Sequence, residues 1–178
     1  MKSWIIRSLA AVLLALATTM SLVTPASATP RATLKAAAQA VAYERVGGSN
    51  YATYKAKYSS ELNWGNDGCS VPSYIQAAPG LGAVLSAYGH IFVHSCDRHD
   101  FGYRNFGANT TTPGVHQKFS PTRATKDTID DRFYSNMKIN CDDSFGGVIK
   151  APLRAACKAG AWTFYEAVHL RVDGAFFG

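Results

Sequence analysis

The first residues of this chain have the layout of a secretory signal peptide, which constrains the fold because all four cysteines lie beyond it. Lys2 and Arg7 precede an apolar run at residues 9–20, and the small residues 26–28 follow that run. Charged, apolar and small segments in this order are typical of a cleaved signal, and the apolar run is shorter than the ~20 residues of a membrane span. The sequence therefore predicts a signal peptide over residues 1–28 and a secreted, extracellular product.

Disulfides are expected to hold the exported chain together. An even number of cysteines in an exported protein favours complete pairing, which here means two bonds. Three pairings of Cys69, Cys96, Cys141 and Cys157 are possible, and we predict Cys69–Cys96 and Cys141–Cys157 because each bond joins neighbouring segments. A zinc site is a weaker interpretation, since the cysteines lack Cys-x-x-Cys spacing.

Removal of residues 1–28 would leave about 150 residues, which is the size of one domain. We therefore expect a single domain over residues 29–178. Residues 29–48 are either a propeptide or the N-terminal helix of that domain, and the sequence leaves both alternatives open.

The charge of the chain favours an anionic partner. The full sequence has a formal net charge of +6 at pH 7, and removal of Lys2 and Arg7 leaves +4. A modest positive charge on a secreted protein fits anionic surfaces such as lipid headgroups or a cell wall. Nucleic acid is disfavoured as a partner, because the sequence has neither a dense Lys/Arg cluster nor a recognised binding motif.

Apolar residues recur at helical spacing along most of the mature chain, whereas strand-like alternation does not persist. This pattern predicts helices over residues 33–45, 50–58, 95–106, 122–140 and 148–172. Thr33 is a candidate N-cap of the first of them. Residues 71–93 are apolar but interrupted by proline and glycine, so we predict a loop there, with at most one helical turn or a short hairpin. The expected fold class is all-α, a small helical domain stapled by disulfides.

The segment Cys-Asp-Arg-His-Asp-Phe-Gly-Tyr-Arg-Asn, at residues 96–105, carries the candidate chemistry. Adjacent residues on a helix point about 100° apart, so His99 and Asp100 cannot easily bond to each other. We expect them to serve different centres, a base beside a metal ion.

The predicted Cys69–Cys96 bond would bring a loop next to this segment. Asp67 and Gly68 directly precede Cys69, so the bond would place them beside Asp100. Two carboxylates and loop carbonyls form the all-oxygen ligand set that Ca²⁺ prefers. With only two acidic ligands, we expect weak binding, with a Kd of about 10⁻⁴ to 10⁻³ M.

A histidine that acts as a base needs a partner for its other ring nitrogen, which fixes the tautomer and stabilises the protonated ring. Asp130 is the best candidate partner for His99. It directly follows Ile129 on the next predicted helix, which also carries the apolar residues Phe133 and Met137.

Residues 96–105 closely resemble the active-site helix of the small secreted phospholipases A2 of bacteria and fungi, and their His-Asp-x-x-Tyr pattern is shared with the animal secreted enzymes. The similarity extends to residues 126–134, to both cysteine pairs and to the Ala-Trp-Thr-Phe-Tyr segment at residues 161–165. The resemblance implies a phospholipase A2-like fold in which two long antiparallel helices carry the site.

The resemblance also implies a role for each candidate residue. His99 would be the general base, Asp130 would orient it, and Tyr103 would support the base network. The implied calcium ligands are oxygen atoms of three residues: Asp100, Asp67 and, through its carbonyl, Gly68.

The activity implied by the resemblance is calcium-dependent hydrolysis of the sn-2 ester of glycerophospholipids, which releases a fatty acid and a lysophospholipid. A His-Asp dyad would activate water, and no covalent intermediate would form. The partner would be a phospholipid membrane surface or a micelle, and we expect a monomer. The alternative is a catalytically weak secreted module that uses the same scaffold to bind lipid or a receptor.

Overall fold

A computed structural model describes residues 28–70 and 80–178. The predicted signal peptide, except Ala28, and the first part of the predicted loop at residues 71–93 lie outside the described residues. All regular elements in the described ranges are helices, which confirms the all-α prediction: α1 Arg31–Ala42, α2 Asn50–Lys57, α3 Leu81–Phe106, α4 Arg123–Ser144, α5 Ala151–Arg171 and α6 Asp173–Phe177. None of these helices is both long and apolar enough to cross a bilayer.

The long helices α3 and α4 pack against each other in antiparallel orientation. Near the start of their contact, the Ser95 hydroxyl donates to the side chain of Asn140. Further along α3, Gly102 meets Ile129, which lies earlier in α4. A Cβ atom on Gly102 would come within 2.9 Å of the Ile129 side chain, so glycine permits this close approach.

Helix α3 begins much earlier than the sequence suggested. The prediction of a loop is wrong for residues 81–93, because α3 is continuous over Leu81–Phe106. Glycine lowers helix propensity by about 1 kcal/mol relative to alanine, but tertiary packing can offset this cost. Here Val84 and Tyr88 pack onto Gly160 of α5, where a Cβ atom would lie 3.1 Å from the Tyr88 ring.

The other helices match their predicted positions, with shifts at the ends. The first helix begins at Arg31, directly after Pro30, so Thr33 lies inside the helix and is not its N-cap. The fourth extends to Ser144, and the side chain of Thr122 caps its start by accepting from the Thr125 N–H. The predicted last helix, residues 148–172, spans Ala151–Arg171 and is followed by the short helix α6.

The N-terminal segment packs into the core of the domain. Helix α1 buries five side chains: Leu34, Ala37, Ala38, Val41 and Ala42. Just after it, Glu44 forms an ion pair with Arg98 of α3 at 3.1 Å, and both side chains are less than 10% exposed. The Glu44 carboxylate also accepts from the backbone N–H groups of Asn50 and Tyr51. Residues 29–48 therefore contribute an apolar helix face and a buried charge to this fold.

Both predicted disulfides are present. Cys69 is bonded to Cys96, which ties the loop before α3 to the middle of that helix. Cys141 is bonded to Cys157, which joins the end of α4 to α5. The prediction that each bond joins neighbouring segments is confirmed.

Candidate active site

A cavity of about 350 Å³ lies between α3, α4, α5 and the loop before α3. Its apolar lining comes from α4, α5 and the residues after α5: Phe133, Phe164, Val168, Val172 and Ala175. Five of the six predicted site residues line it as well: Asp67, Gly68, His99, Asp100 and Tyr103. The sixth, Asp130, is fully buried and bonded to one of these residues. The fold thus gathers residues from separate segments around one cavity.

His99 is held by one hydrogen bond and two aromatic rings. Its Nε2 lies 3.0 Å from Oδ1 of Asp130. The ring centroid is 4.6 Å from that of Phe133 and 4.2 Å from that of Tyr103. An ionised carboxylate can only accept, so Nε2 donates and Nδ1 is the nitrogen that can take up a proton.

Asp130 receives four polar contacts at its two oxygens. Oδ1 accepts from the Tyr103 hydroxyl at 2.7 Å and from His99. Oδ2 accepts from the Lys126 ammonium at 2.7 Å and lies 3.2 Å from Nδ1 of His169. Burial alone would raise the pKa of Asp130, but the hydrogen bonds and charges of His99 and Lys126 outweigh it and lower the pKa to about 2. The carboxylate therefore stays ionised at neutral pH.

Two of these partners were missed by sequence reasoning. Lys126 precedes Asp130 by four residues, a spacing that places the two side chains on one helix face and could have indicated the pair. His169 lies on α5, and no local pattern connects it to Asp130. Its backbone carbonyl also accepts from the Lys126 ammonium at 3.0 Å.

The lowered pKa of Asp130 predicts an acid-dependent loss of stability. A group whose pKa is lower in the folded state stabilises the fold above its unfolded pKa, and this contribution is lost as pH falls through the folded value. As the pH falls from 4 to 2, protonation of Asp130 should therefore lower the free energy of unfolding by about 2 kcal/mol. Urea titrations across this range should show a shallower loss for Asp130→Asn than for the wild type.

The neighbouring acid on the same helix supplies the control. Asp131 is exposed and its carboxylate accepts from the Tyr165 hydroxyl. Asp131→Asn should keep the wild-type dependence on pH. Equal slopes for the wild type and Asp130→Asn would contradict a lowered pKa at Asp130.

The loop before α3 is anchored on both sides of Asp67. On one side, Asn105 makes two hydrogen bonds of 2.9 Å with the backbone N–H and carbonyl of Asn63. On the other side, the disulfide from Cys69 fixes the loop to Cys96. Asn105, the last residue of the segment at 96–105, thus positions the loop, a role that the sequence did not reveal.

The anchored loop places two acidic residues side by side. The Asp67 N–H donates to Oδ2 of Asp100 at 3.0 Å, and the Asp67 carboxylate lies 3.5 Å from the Arg104 guanidinium. Burial first, and then the neighbouring Asp67 carboxyl, raise the pKa of Asp100 to about 8, against a smaller lowering by the Asp67 N–H and Arg104. Gly68 has a φ of +68°, a left-handed conformation that glycine adopts without strain.

The oxygen atoms around Asp67 and Asp100 fit a hard cation. Burial and, after it, the neighbouring Asp67 carboxyl raise the pKa of Asp100, and a bound cation would relieve the repulsion between the two carboxyls. Carboxylate and backbone oxygens are the ligands that calcium prefers. Among residues 28–70 and 80–178, no group of three or more His, Cys, Asp or Glu side chains could hold a metal ion. A calcium ion here would therefore depend on the two carboxylates, backbone carbonyls and water.

Comparison with known proteins places this chain in a family. A family model described as prokaryotic phospholipase A2 matches residues 41–171. Over 91 residues, the chain is 32% identical to a secretory phospholipase A2 of Beauveria bassiana (strain ARSEF 2860), a match that covers 51% of this chain and 37% of that relative. The matched part thus spans little more than a third of the relative's length. Because the family model matches most of the chain, including α3, α4 and α5, this protein belongs to the prokaryotic phospholipase A2 family.

Proposed function

We propose that this protein is a secreted, calcium-dependent phospholipase A2 that hydrolyses the sn-2 ester of glycerophospholipids at membrane surfaces or in micelles. The observation that carries the proposal is the contact between His99 and Asp130 beside the paired carboxyls of Asp67 and Asp100. A base, its orienting acid and a cation site at one apolar cavity are the parts that water-mediated ester hydrolysis needs.

In the proposed mechanism, His99 activates water directly. Its Nδ1 accepts a proton from a water molecule whose oxygen attacks the sn-2 carbonyl carbon. Asp130 stabilises the resulting imidazolium through Nε2, and Tyr103 holds the same carboxylate oxygen. The imidazolium then gives its proton to the departing lysophospholipid oxygen, so fatty acid and lysophospholipid leave without a covalent intermediate.

The calcium ligands in this proposal are Asp100, Asp67 and the carbonyl of Gly68. A bound calcium ion supplies positive charge for the substrate phosphate and for the oxyanion that develops on the ester carbonyl. The Asp67 carboxylate would have to exchange its contact with Arg104 for the cation. The anchored loop limits the distance over which this exchange takes place.

The cavity supports a lipid substrate. Aromatic and aliphatic side chains such as Phe133 and Phe164 line one part of it, which suits an acyl chain. The carboxyls and Arg104 lie at another part, which suits the polar headgroup. The net positive charge favours an anionic lipid surface. We propose that one chain, as a monomer, supplies the whole site.

Calcium removal tests this function. Fatty-acid release from vesicles of phosphatidylcholine or phosphatidylglycerol should saturate at about millimolar calcium and stop in EGTA. With substrates labelled in the sn-2 chain, the label should appear in the free fatty acid. Asp100→Asn should raise the calcium concentration for half-maximal rate at least about tenfold, because it removes a charged ligand.

Asp143→Asn is the matched control, since Asp143 is exposed at the end of α4. It should retain the wild-type calcium dependence. Hydrolysis that persists in EGTA would overturn the calcium dependence. Vesicle binding without any turnover at millimolar calcium would favour the alternative of a lipid-binding module.

A further inference from the structure

Lys126 is a fully buried lysine next to Asp130, the residue that orients the proposed base, and the mechanism above does not use it. Its ammonium donates to Oδ2 of Asp130 at 2.7 Å and to the carbonyl of His169 at 3.0 Å. It also lies 3.7 Å from the carboxylate of Asp173, which Arg123 binds from the solvent side. Neither the Lys126 nor the Asp130 side chain is exposed. The contacts thus fix the ammonium on three sides.

A buried carboxylate in this position needs a permanent positive charge. Tyr103 and a neutral His99 donate hydrogen bonds to Asp130 but do not cancel its charge. Among the residues that the structure describes, Lys126 is the one lysine or arginine whose charged group lies within 4 Å of Asp130. Removing one partner of a buried ion pair is strongly destabilising, because it leaves the other charge uncompensated.

The two carboxylate oxygens of Asp130 bind different groups. Oδ1 binds the groups next to the cavity, His99 and Tyr103. Oδ2 binds Lys126, away from the reacting atoms. The ammonium therefore acts on the base through the carboxylate, by holding it ionised and in one orientation.

We propose that Lys126 is a positioning residue of the active site, whose buried ammonium keeps the Asp130 carboxylate ionised and directs its Oδ1 at His99. The inference rests on the proposed phospholipase activity and extends it to a residue behind the dyad. The ammonium does not touch the substrate, so its loss should lower the chemical rate and leave substrate binding intact.

A double-mutant cycle in kcat tests this role. Lys126→Met keeps an unbranched side chain, one atom shorter, and removes the charge. Per folded molecule, it should lower kcat about 10- to 100-fold, as is usual for partners behind a site residue, with KM and the calcium requirement unchanged. Asp130→Asn should lower kcat about 100-fold or more. In the Asp130→Asn background, Lys126→Met should change kcat less than about threefold, because residues that act as a unit are not additive.

Lys138→Met is the matched control on the same helix. The Lys138 ammonium lies over the ring of Tyr134, away from Asp130, and its loss should change kcat less than about twofold. Circular dichroism and thermal melting establish the folded fraction of each variant. If Lys126→Met does not fold, Lys126→Gln, which keeps a donor without the charge, gives the same comparison.

The outcomes separate the two proposals. A wild-type protein that does not hydrolyse phospholipid would overturn the proposed function and this inference with it. An active wild type whose kcat survives Lys126→Met would overturn the inference alone. So would kcat losses that multiply in the double variant, since Lys126 would then act independently of Asp130.

Discussion

Replacement of His99 by glutamine is expected to lower kcat for phospholipid hydrolysis about 10³-fold, within the range of general-base contributions. Glutamine can donate a hydrogen bond to Asp130 but cannot accept a proton from water at neutral pH. The overall fold should persist, because the His99 ring lines a cavity and is not part of the fully buried core. Fatty-acid release from phosphatidylglycerol vesicles at saturating calcium measures the effect.

His90→Gln provides the comparison on the same helix. His90 lies on α3, is exposed and is more than two turns from His99. This variant should keep the wild-type rate. If His99→Gln were as active as His90→Gln, the proposed base would be wrong, whatever the calcium dependence showed.

A large effect on stability is expected when the buried pair of Arg98 and Glu44 is broken. Arg98→Met should lower the free energy of unfolding by about 3–5 kcal/mol, because the Glu44 carboxylate would remain buried without a counter-charge. The Arg98 guanidinium also donates to the carbonyl of Gly48, so the segment after α1 would lose a second anchor. Urea unfolding followed by circular dichroism at pH 7 measures the change.

Two further variants define the origin of this loss. The double variant Arg98→Met/Glu44→Leu removes both charges and should recover part of the stability, since apolar replacement of a buried pair is often neutral or favourable. Lys158→Met breaks an exposed pair with Asp142 and should cost less than about 1 kcal/mol. Equal losses for Arg98→Met and Lys158→Met would show that burial does not set the strength of the pair.

The sequence predicted the parts of the fold that depend on local signals. Helical spacing placed most helices within a few residues, and proximity along the chain gave both disulfides. The start of α3 was missed because glycine and proline lower local helix propensity. What decides the conformation there is contact with α5, through Val84 and Tyr88 on Gly160, and spacing along the chain does not encode that contact.

For the candidate site, too, local signals predicted some residues, and contacts between distant segments decided the others. The segment at residues 96–105 was sufficient to single out His99 and Asp100, and apolar neighbours on the next helix indicated Asp130. His169 was not recognised, because its contact with Asp130 joins two helices that are distant in sequence. The pairing of the Asp67 carboxylate with Arg104 was missed for a related reason, since the loop conformation decides which acid each arginine meets.

Whether the bond between Cys69 and Cys96 has already formed determines how firmly the loop with Asp67 and Gly68 is held. With both thiols reduced, the segment bearing Asp67 and Gly68 would be held near α3 by non-covalent contacts alone, such as the hydrogen bond to Asp100. Reduced thiols are the rule in the cytosol, whereas the bond forms in oxidising surroundings. In the proposed function, a copy with reduced thiols would thus have an unfinished cation site and would hydrolyse few of the lipids of the cell that makes it.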